Sequence, residues 1–183
     1  MNAIDRQTLL ALARQSIVAQ VNGMSQPVLA QPTAALQVTA GCFVTIKQQG
    51  QLRGCIGSFV AQRPLWQTVQ EMAISAATRD PRFQPMRPSE LKSFSIEISV
   101  LSPLQPIQSI EDIQVGTHGI YLIKGHAHGV LLPQVAVEYG WDRETFLRNT
   151  CRKAGLPDNA WQQDCALYIF SAEVFGAESS KEV

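Results

Sequence analysis

The stretch QLRGCIGSF, residues 51–59, places a cysteine between two glycines and two residues after an arginine. If this stretch is a β-strand, Arg53, Cys55 and Gly57 lie on the same face. A guanidinium beside the sulfur favours the thiolate, the nucleophilic form of cysteine, and Gly57 leaves room for a ligand. Gly54 and Gly57 also allow another backbone to approach closely. The pattern predicts a nucleophile or ligand-contacting thiol, or alternatively a small buried cysteine in a glycine-containing bulge.

The loop TRDPRFQP holds a second group of charged residues, with Arg79, Asp80 and Arg82 next to Phe83. Two guanidiniums can bind a carboxylate or phosphate through directed hydrogen bonds, which makes these residues candidates for binding a small anion. The alternative, which the residue types favour, is that Asp80 pairs with an arginine and fixes the loop after the preceding helix.

All three histidines lie in one part of the chain, at positions 118, 126 and 128. His126 and His128, in GHAHG, share one side of an extended segment, and such a pair can hold a metal ion. No nearby carboxylate or cysteine supplies a further ligand, and both rings are solvated if this is a hairpin tip. The sequence therefore predicts no metal site. A Cys–His catalytic pair requires folding to bring Cys55 near His118, His126 or His128.

Composition limits the classes of protein that this chain can represent. The 183 residues are 45% hydrophobic, which suits one sizeable domain with a packed interior. Lys+Arg and Asp+Glu number 15 each, and this neutral balance argues against nucleic-acid binding. No signal peptide and no apolar run of ~20 residues is present, and the four cysteines form no CxxC pair. We expect a cytoplasmic protein with free thiols and no membrane association.

Helical periodicity and capping residues predict the main helices. The first contains Ile4 on its buried face, is capped by Asp5 and ends at Gly23. A second opens with Pro64 at its first position and must end before Pro81. After a further short helix, the last one runs between a capping aspartate and a glycine, Asp142 and Gly155.

Alternation of apolar and polar residues predicts the strands. CFVTIK and LRGCIG form a hairpin around QQGQ, and GIYLIKG and GVLLPQV form another around GHAHG. FSIEISVL is the clearest strand, CALYIFSAEVF is the last one, and the tail GAESSKEV is expected to fray. The element order lacks a steady βαβ alternation. It predicts an α+β fold with a mostly antiparallel sheet flanked by helices.

Four motifs in a fixed order, LRGCIG, RDPRFQP, VGTHGI and LLPQVAVEYGWD, resemble the AMMECR-type domain family. Bacterial and archaeal members of that family are called AmmeMemoRadiSam system protein A. The resemblance covers nearly the whole chain and implies one domain over residues 1–183, with two subdomains around a shared cleft. It maps the family's motifs onto residues 52–57, 79–83 and 118–119. GHAHGVLLPQV departs from the family's GxRGLLLPQV-like pattern, so His126 and His128 fall outside the resemblance.

The resemblance attaches no reaction to the domain, but it associates bacterial relatives with a Memo-type protein and a radical SAM protein. Our first hypothesis is therefore an accessory or small-ligand-binding component of such a system. The second is an enzyme in which Cys55 is the nucleophile, Arg53 stabilises the thiolate, and Arg79 or Arg82 holds an anionic substrate. A third, nucleic-acid or translation-associated binding, is disfavoured by the neutral charge. The chain has no GxSxG, P-loop or dinucleotide fingerprint, and it indicates no particular cofactor.

Overall fold

The computed structural model describes residues 1–176, which fall into two compact units. The first unit comprises Met1–Val100 and the segment from Glu173, and the second comprises Leu101–Ala172. The tail predicted to fray lies, from Ala177, outside the described residues. Within residues 1–176, no helix is both long enough and apolar enough to span a membrane.

Helices and strands alternate irregularly along the chain, as the predicted α+β class requires. The helices are α1 (Ala3–Val21), α2 (Ala34–Gln37), α3 (Leu65–Thr78), α4 (Pro133–Glu138) and α5 (Arg143–Lys153). The strands are β1 (Cys42–Gln48), β2 (Gln51–Ser58), β3 (Ser95–Leu101), β4 (Gln105–Ile107), β5 (Gly119–Lys124), β6 (Ala127–Leu131), β7 (Ala166–Phe170) and β8 (Ala172–Gly176). Short 3-10 turns span Pro88–Lys92, Ile110–Asp112 and Ala160–Gln162.

The strands form two four-stranded sheets, ordered β2-β1-β3-β8 and β4-β7-β5-β6, with antiparallel pairing. The predicted α+β class with antiparallel pairing and flanking helices is confirmed, while the shared cleft stays a prediction. CALYIFSAEVF is wrong as a single strand, because the chain leaves one sheet at β7 and joins the other at β8, with Ser171 between them. The stretch from Ala166 to Phe175 contains no proline or glycine, so the sequence carries no sign of this change of partner.

The N-terminal cap of α1 differs from the prediction. Asn2 is the capping residue, and its side-chain oxygen accepts a hydrogen bond from the Asp5 N–H at 2.8 Å. Asp5 is buried in the first turn, where its carboxylate accepts a hydrogen bond from Thr33 Oγ1 at 2.7 Å. Ile4, predicted to be buried, is 72% exposed. Gly23 ends the helix as predicted, with a left-handed φ of +66°.

The other helix boundaries follow the predicted signals closely. Pro64 was predicted to be the first residue of α3, but it is the capping residue directly before the helix, which begins at Leu65. The helix ends before Pro81, as predicted. Asp142 caps α5 by accepting a hydrogen bond from the Thr145 N–H at 2.8 Å. Gly155 follows that helix with a φ of +72°. Local capping chemistry therefore sets these ends.

The β1–β2 hairpin has the predicted turn and one irregularity that matters for the site. Gln49 and Gly50 have φ of 51° and 79°, the two positive values that a type I′ turn needs. The register shifts between Ile46 and Lys47, so that Gly54 lies opposite the first and Leu52 opposite the second. Arg53 is therefore the extra residue of a bulge, and the alternation that placed it on the face of Cys55 is interrupted.

Both units bury one side of their sheet against helices. In the first unit, inward side chains of β1 and β3 pack on side chains of α1 and α3. The strands contribute Val44, Ile46, Ile96 and Ile98, and the helices contribute Leu9, Ile17, Val69 and Ala73. In the second, a core forms between the sheet and α4 and α5, from Ile120, Ile169, Ala136, Phe146 and Leu147. The opposite face of β1 and β2 carries Thr45, Lys47 and the Cys55 side chain, which form the polar face, and next to them the Phe43 ring.

Two glycines of LRGCIG are required by close contacts of different kinds. A Cβ on Gly54 would lie 2.2 Å from the Ala76 carbonyl oxygen in α3, a backbone atom. A Cβ on Gly57 would lie 2.2 Å from Cδ1 of the Phe43 ring, which is a side chain. Both replacements therefore create overlap, but only the second is relieved by removing a side chain.

We expect Gly54→Ala and Gly57→Ala each to lower the free energy of unfolding by about 2–4 kcal/mol. Adding Phe43→Ala to Gly57→Ala is expected to restore stability relative to the sum of the single changes by at least ~1 kcal/mol. The same addition to Gly54→Ala should restore nothing. Urea unfolding of the five variants, including Phe43→Ala alone, measures both couplings, and equal rescue of the two glycine variants would contradict the packing described here.

Candidate functional site

Cys55 lies in the middle of β2, an edge strand of the first sheet, with its side chain partly exposed. Thr45 is its cross-strand partner, and the Thr45 Oγ1 hydroxyl donates a hydrogen bond to Cys55 Sγ at 3.2 Å. Lys47 and Glu97, joined at 2.9 Å, lie on the same polar face. The structure thus presents a thiol whose hydrogen-bond donor comes from the neighbouring strand.

The backbone of Cys55 is held on its outer side by the loop that follows α3. Its N–H donates to Asp80 Oδ2 at 2.8 Å, and its carbonyl accepts from Arg82 Nη2 at 3.3 Å. An edge strand otherwise exposes its N–H and C=O groups to solvent or to another chain. Here two side chains take the place of a neighbouring strand, and the motifs LRGCIG and RDPRFQP form one structural unit.

Asp80 and Arg82 also bind each other, as the alternative for this loop predicted. Asp80 is 3% exposed, and its carboxylate accepts from Arg82 at the backbone N–H, Nε and Nη2, at 3.1, 3.0 and 2.7 Å. The Arg82 guanidinium and the N–H groups of Cys55 and Arg82 hold the pKa of Asp80 well below its ordinary value, although burial opposes this. Asp80 is therefore a charged anchor for the loop.

Arg53 is committed to a different carboxylate. Its Nε and Nη2 donate to the two oxygens of Glu90 at 2.7 and 3.2 Å, and Nη2 also donates to the Gln84 carbonyl at 2.9 Å. The Arg53 guanidinium lowers the pKa of Glu90, mainly through these hydrogen bonds. It also lies 5.8 Å from the centre of the Phe83 ring. The hydrogen bonds of Arg53 thus go to Glu90 and Gln84, and the predicted partner, the sulfur of Cys55, receives none.

The room predicted beside Cys55 at Gly57 is occupied. The Phe43 ring packs over Gly57, opposite it in the register of β1 and β2. Phe59 meets the same ring edge-on, with centroids 5.2 Å apart. Gly54 faces α3 on the other side of the sheet, where it admits the backbone of Ala76. Both predicted ligand-contacting glycines therefore have packing partners from the chain itself.

Arg79 and Arg82, which sequence reasoning treated together, point to different surroundings. The Arg79 side chain lines a groove along α3, together with Trp66 and Ile74. Among the described residues, no hydrogen bond or ion pair reaches its guanidinium, whereas Arg82 binds Asp80 and Cys55. The two predicted anion ligands therefore do not act as a pair.

His118 belongs to the second unit, immediately before β5. Its Nδ1 lies 3.1 Å from the Asp112 carbonyl and 3.2 Å from the backbone nitrogen of Gln114. It lines a small cavity of about 120 Å³ that also involves Ser102 and Ser171. His118 is thus fixed through one ring nitrogen by its own loop.

The other two histidines lie on the β5–β6 hairpin, whose turn is shorter than the predicted GHAHG because β6 begins at Ala127. His126 is in the turn, His128 is on β6, and both are exposed. Within residues 1–176, no three His, Cys, Asp or Glu side chains are placed to hold a metal ion together.

Thr45 and Glu90 are the two site residues that sequence reasoning missed. Thr45 follows from the register of the predicted hairpin once the bulge is known, because the two strands and their turn are local. Glu90 is 37 residues from Arg53, and its spacing carries no signal of their pairing. Glu90 also caps the short 3-10 turn in which it lies, since its Oε2 accepts a hydrogen bond from the Arg87 N–H at 2.7 Å.

The arrangement around Cys55 suits contact of the thiol with a ligand better than it suits proton transfer to or from the thiol. The two nearby arginines are each paired with a carboxylate, Arg53 with Glu90 and Arg82 with Asp80. The first unit contains no histidine, because all three lie between residues 118 and 128. What this unit offers a ligand is the Cys55 sulfur, the Thr45 hydroxyl and the charges of the polar face.

Asp80→Asn should lower the free energy of unfolding by about 1–3 kcal/mol at neutral pH, because Arg82 and two N–H groups lose a carboxylate. This loss lies below the roughly 3–5 kcal/mol expected when a fully buried pair is broken, since the Arg82 side chain is 55% exposed. Asp158→Asn is the matched control, as its pair with Arg152 is exposed on both sides and should be worth less than ~1 kcal/mol.

The pH dependence of this stability difference has a definite sign. A carboxyl whose pKa is lowered by folding stabilises the protein above its unfolded value of about 3.9, and the effect is lost as the pH falls toward the lowered value. The difference between wild type and Asp80→Asn should therefore be constant near neutrality and shrink below about pH 4. Denaturant melts across this range measure it, and a difference that grows on acidification would contradict the role of Asp80.

Comparison with known proteins places nearly all of the described chain in one family. Residues 10–175 match the AMMECR1 family. Protein MK0488 of Methanopyrus kandleri is 45% identical over 180 residues, which are 93% of this chain and 87% of that protein. A protein of Methanothermobacter thermautotrophicus is 43% identical over 92% of each chain. The crystal structure of the uncharacterized protein PH0010 from Pyrococcus horikoshii has a TM-score of 0.89 and 36% identity, covering 98% of this chain and 94% of that one. The chain belongs to the AMMECR1 family, as its four motifs predicted.

Proposed function

We propose that this protein is a binding component that works with Memo-type and radical SAM proteins, and that the polar face around Cys55 is where it meets a partner or a small anionic ligand. The observation that carries this proposal is the internal pairing of the charged groups beside Cys55. Arg53 is bound to Glu90 and Arg82 to Asp80, so both guanidiniums hold the strand and its loop in place.

This pairing favours binding over catalysis for a physical reason. A catalytic nucleophile is activated by a nearby base or by an unpaired positive charge. Beside Cys55 the positive charges of Arg53 and Arg82 are each neutralised by a carboxylate at 2.7 Å. A preorganised face with few mobile groups is instead what a binding surface needs, because little ordering occurs on association.

The partners are proposed from family membership. The family resemblance associates bacterial relatives with a Memo-type protein and a radical SAM protein, and an accessory protein in such a system needs a recognition surface and no turnover of its own. On the polar face, the partly exposed pair of Lys47 and Glu97 supplies charge that a partner can recognise.

A tagged pull-down from a cell that contains Memo-type and radical SAM proteins tests this proposal. We expect at least one of the two to co-purify with the wild-type protein and to be lost with Lys47→Glu, which reverses a charge on the polar face. Lys124→Glu, in the second unit, is the matched control and should retain the partner. Failure of both candidate partners to co-purify, or equal loss with the control variant, would contradict the proposal.

A second candidate function, an enzyme using Cys55 as nucleophile, is favoured by the partial exposure of its sulfur and by the Thr45 hydrogen bond. Burial raises the pKa of Cys42 to about 12 and also raises the pKa values of Cys151 and Cys165. These three thiols therefore contain little thiolate near neutral pH.

Alkylation by iodoacetamide, followed by peptide mass spectrometry, separates the four thiols. If Cys55 is a nucleophile, it should react at least tenfold faster than Cys165, the other partly exposed cysteine, and Thr45→Val should slow it. Cys42 and Cys151 should react only on unfolding, since both are fully buried. A Cys55 rate no greater than that of Cys165 near neutral pH would exclude the enzyme in this form.

A further inference from the structure

Arg79 lies in a groove that the proposed function does not use. The groove has a volume of about 490 Å³ and runs along the outer side of α3. Its opposite wall is formed by Gln20, near the end of α1, and Gln26 in the segment that follows. All of its lining residues belong to the first unit. This volume lies within the usual range for sites that bind small molecules.

The α3 side of the groove combines a flat apolar surface with amide groups. Trp66, Gln67, Gln70 and Ile74 recur at the spacing that places helical residues on one face. The Gln70 amide nitrogen is already bonded to Ser16 Oγ and the Pro27 carbonyl, at 3.2 and 2.9 Å, which fixes its orientation. An indole face beside primary amides can stack on a planar ring and bond to the ring's polar edge.

The two ends of the groove carry different charges. At the α3 C-terminus, Arg79 is exposed, and no partner among the described residues neutralises its guanidinium. At the other end, Arg63 lies 3.8 Å from Glu71, with both side chains more than half exposed, so this pair is weak. An unpaired guanidinium is a strong site for phosphate, which it can bind through two hydrogen bonds.

The separation of Trp66 and Arg79 along α3 favours an elongated ligand. The two residues are 13 positions apart in the sequence, which the helical rise converts to about 20 Å between their backbone positions, and the gap that a ligand must span is shorter because the long Arg79 side chain itself lines the groove. Inorganic phosphate would use one end of the groove only. A ligand that carries a phosphate at one end and a planar ring at the other uses both.

We propose that this groove binds a nucleoside phosphate. The phosphate binds the Arg79 guanidinium, the base stacks on Trp66, and the Gln67 amide bonds to the polar edge of the base. This site is separate from the polar face around Cys55, and the proposal for it does not depend on the proposed partners.

Calorimetric titration with ADP, adenosine and inorganic phosphate tests the site. We expect ADP to bind the wild-type protein at least tenfold more tightly than adenosine or inorganic phosphate. Arg79→Gln should remove the advantage of ADP over adenosine while leaving adenosine binding unchanged, because only the phosphate contacts the guanidinium. Trp66→Leu should weaken ADP and adenosine by similar factors.

Two further variants complete the test. Glu71→Gln should tighten ADP binding several-fold, because it removes a carboxylate from the groove and frees Arg63. Arg148→Gln changes the same charge on an exposed residue of the second unit and should leave every affinity unchanged. Arg79 and Glu71 are both exposed, so their variants are expected to fold, which their thermal melts verify.

Several results would overturn the proposal. These are equal affinity for ADP and adenosine, undiminished ADP binding in Arg79→Gln, and an equal loss in Arg148→Gln. Inorganic phosphate binding as tightly as ADP would also overturn it, since the ring would then contribute nothing. The pull-down with the polar-face variant is unaffected by these outcomes, so the two proposals fail separately.

Discussion

The buried carboxylate of Asp80 is the group on which the geometry of the candidate site depends. It accepts hydrogen bonds from the Cys55 N–H at 2.8 Å and from Arg82 at three nitrogens. These hydrogen bonds are needed to keep the carboxylate ionised, because a buried charge without partners is very costly. One side chain therefore joins the end of α3 to the edge of the sheet and fixes the strand that carries the thiol.

A steric constraint sets the distance over which this carboxylate acts. Gly54 lets the carbonyl of Ala76 approach β2 more closely than any residue with a Cβ would allow. Because α3 ends at Thr78, this close approach brings Asp80 level with Cys55, one residue further along the strand. Gly54 is thus a packing residue whose effect is to position a carboxylate. Function at Cys55, whether binding or chemistry, builds on this backbone arrangement.

Local signals predicted much of this structure, and the failures come from contacts that are distant in sequence. Capping by Asp142, the end of α1 at Gly23 and the two hairpins depend on a few adjacent residues, so their spacing predicted them. The pairing of Asp80 with Arg82 was predicted as an alternative because the two residues are two positions apart. Glu90 as the partner of Arg53 could not be predicted, since it depends on a loop that only the folded chain positions. The Phe43 ring over Gly57, like Thr45 beside Cys55, follows from the hairpin register only once the bulge is known. The division of the last strand at Ser171 had no pattern at all, because sheet membership is decided by partners and not by alternation.

The motifs of the family acquire physical roles in this arrangement. LRGCIG and RDPRFQP are bound to each other through backbone and carboxylate, which explains why glycine, aspartate and arginine are needed together in this chain. Arg79, within the second motif, turns away to the α3 groove, so that one motif serves two surfaces. The proposed partner face and the proposed nucleotide groove are therefore adjacent in sequence but built from different side chains.

An NMR pH titration of the Cys55 amide tests the central claim most directly. The account predicts that this amide proton shifts as Asp80 is protonated, with a midpoint well below the ordinary aspartate value of about 3.9. It also predicts that the shift disappears in Asp80→Ala. A Cys55 amide that titrates at the ordinary value, or that does not respond to Asp80 at all, would contradict the proposal that this carboxylate holds the site.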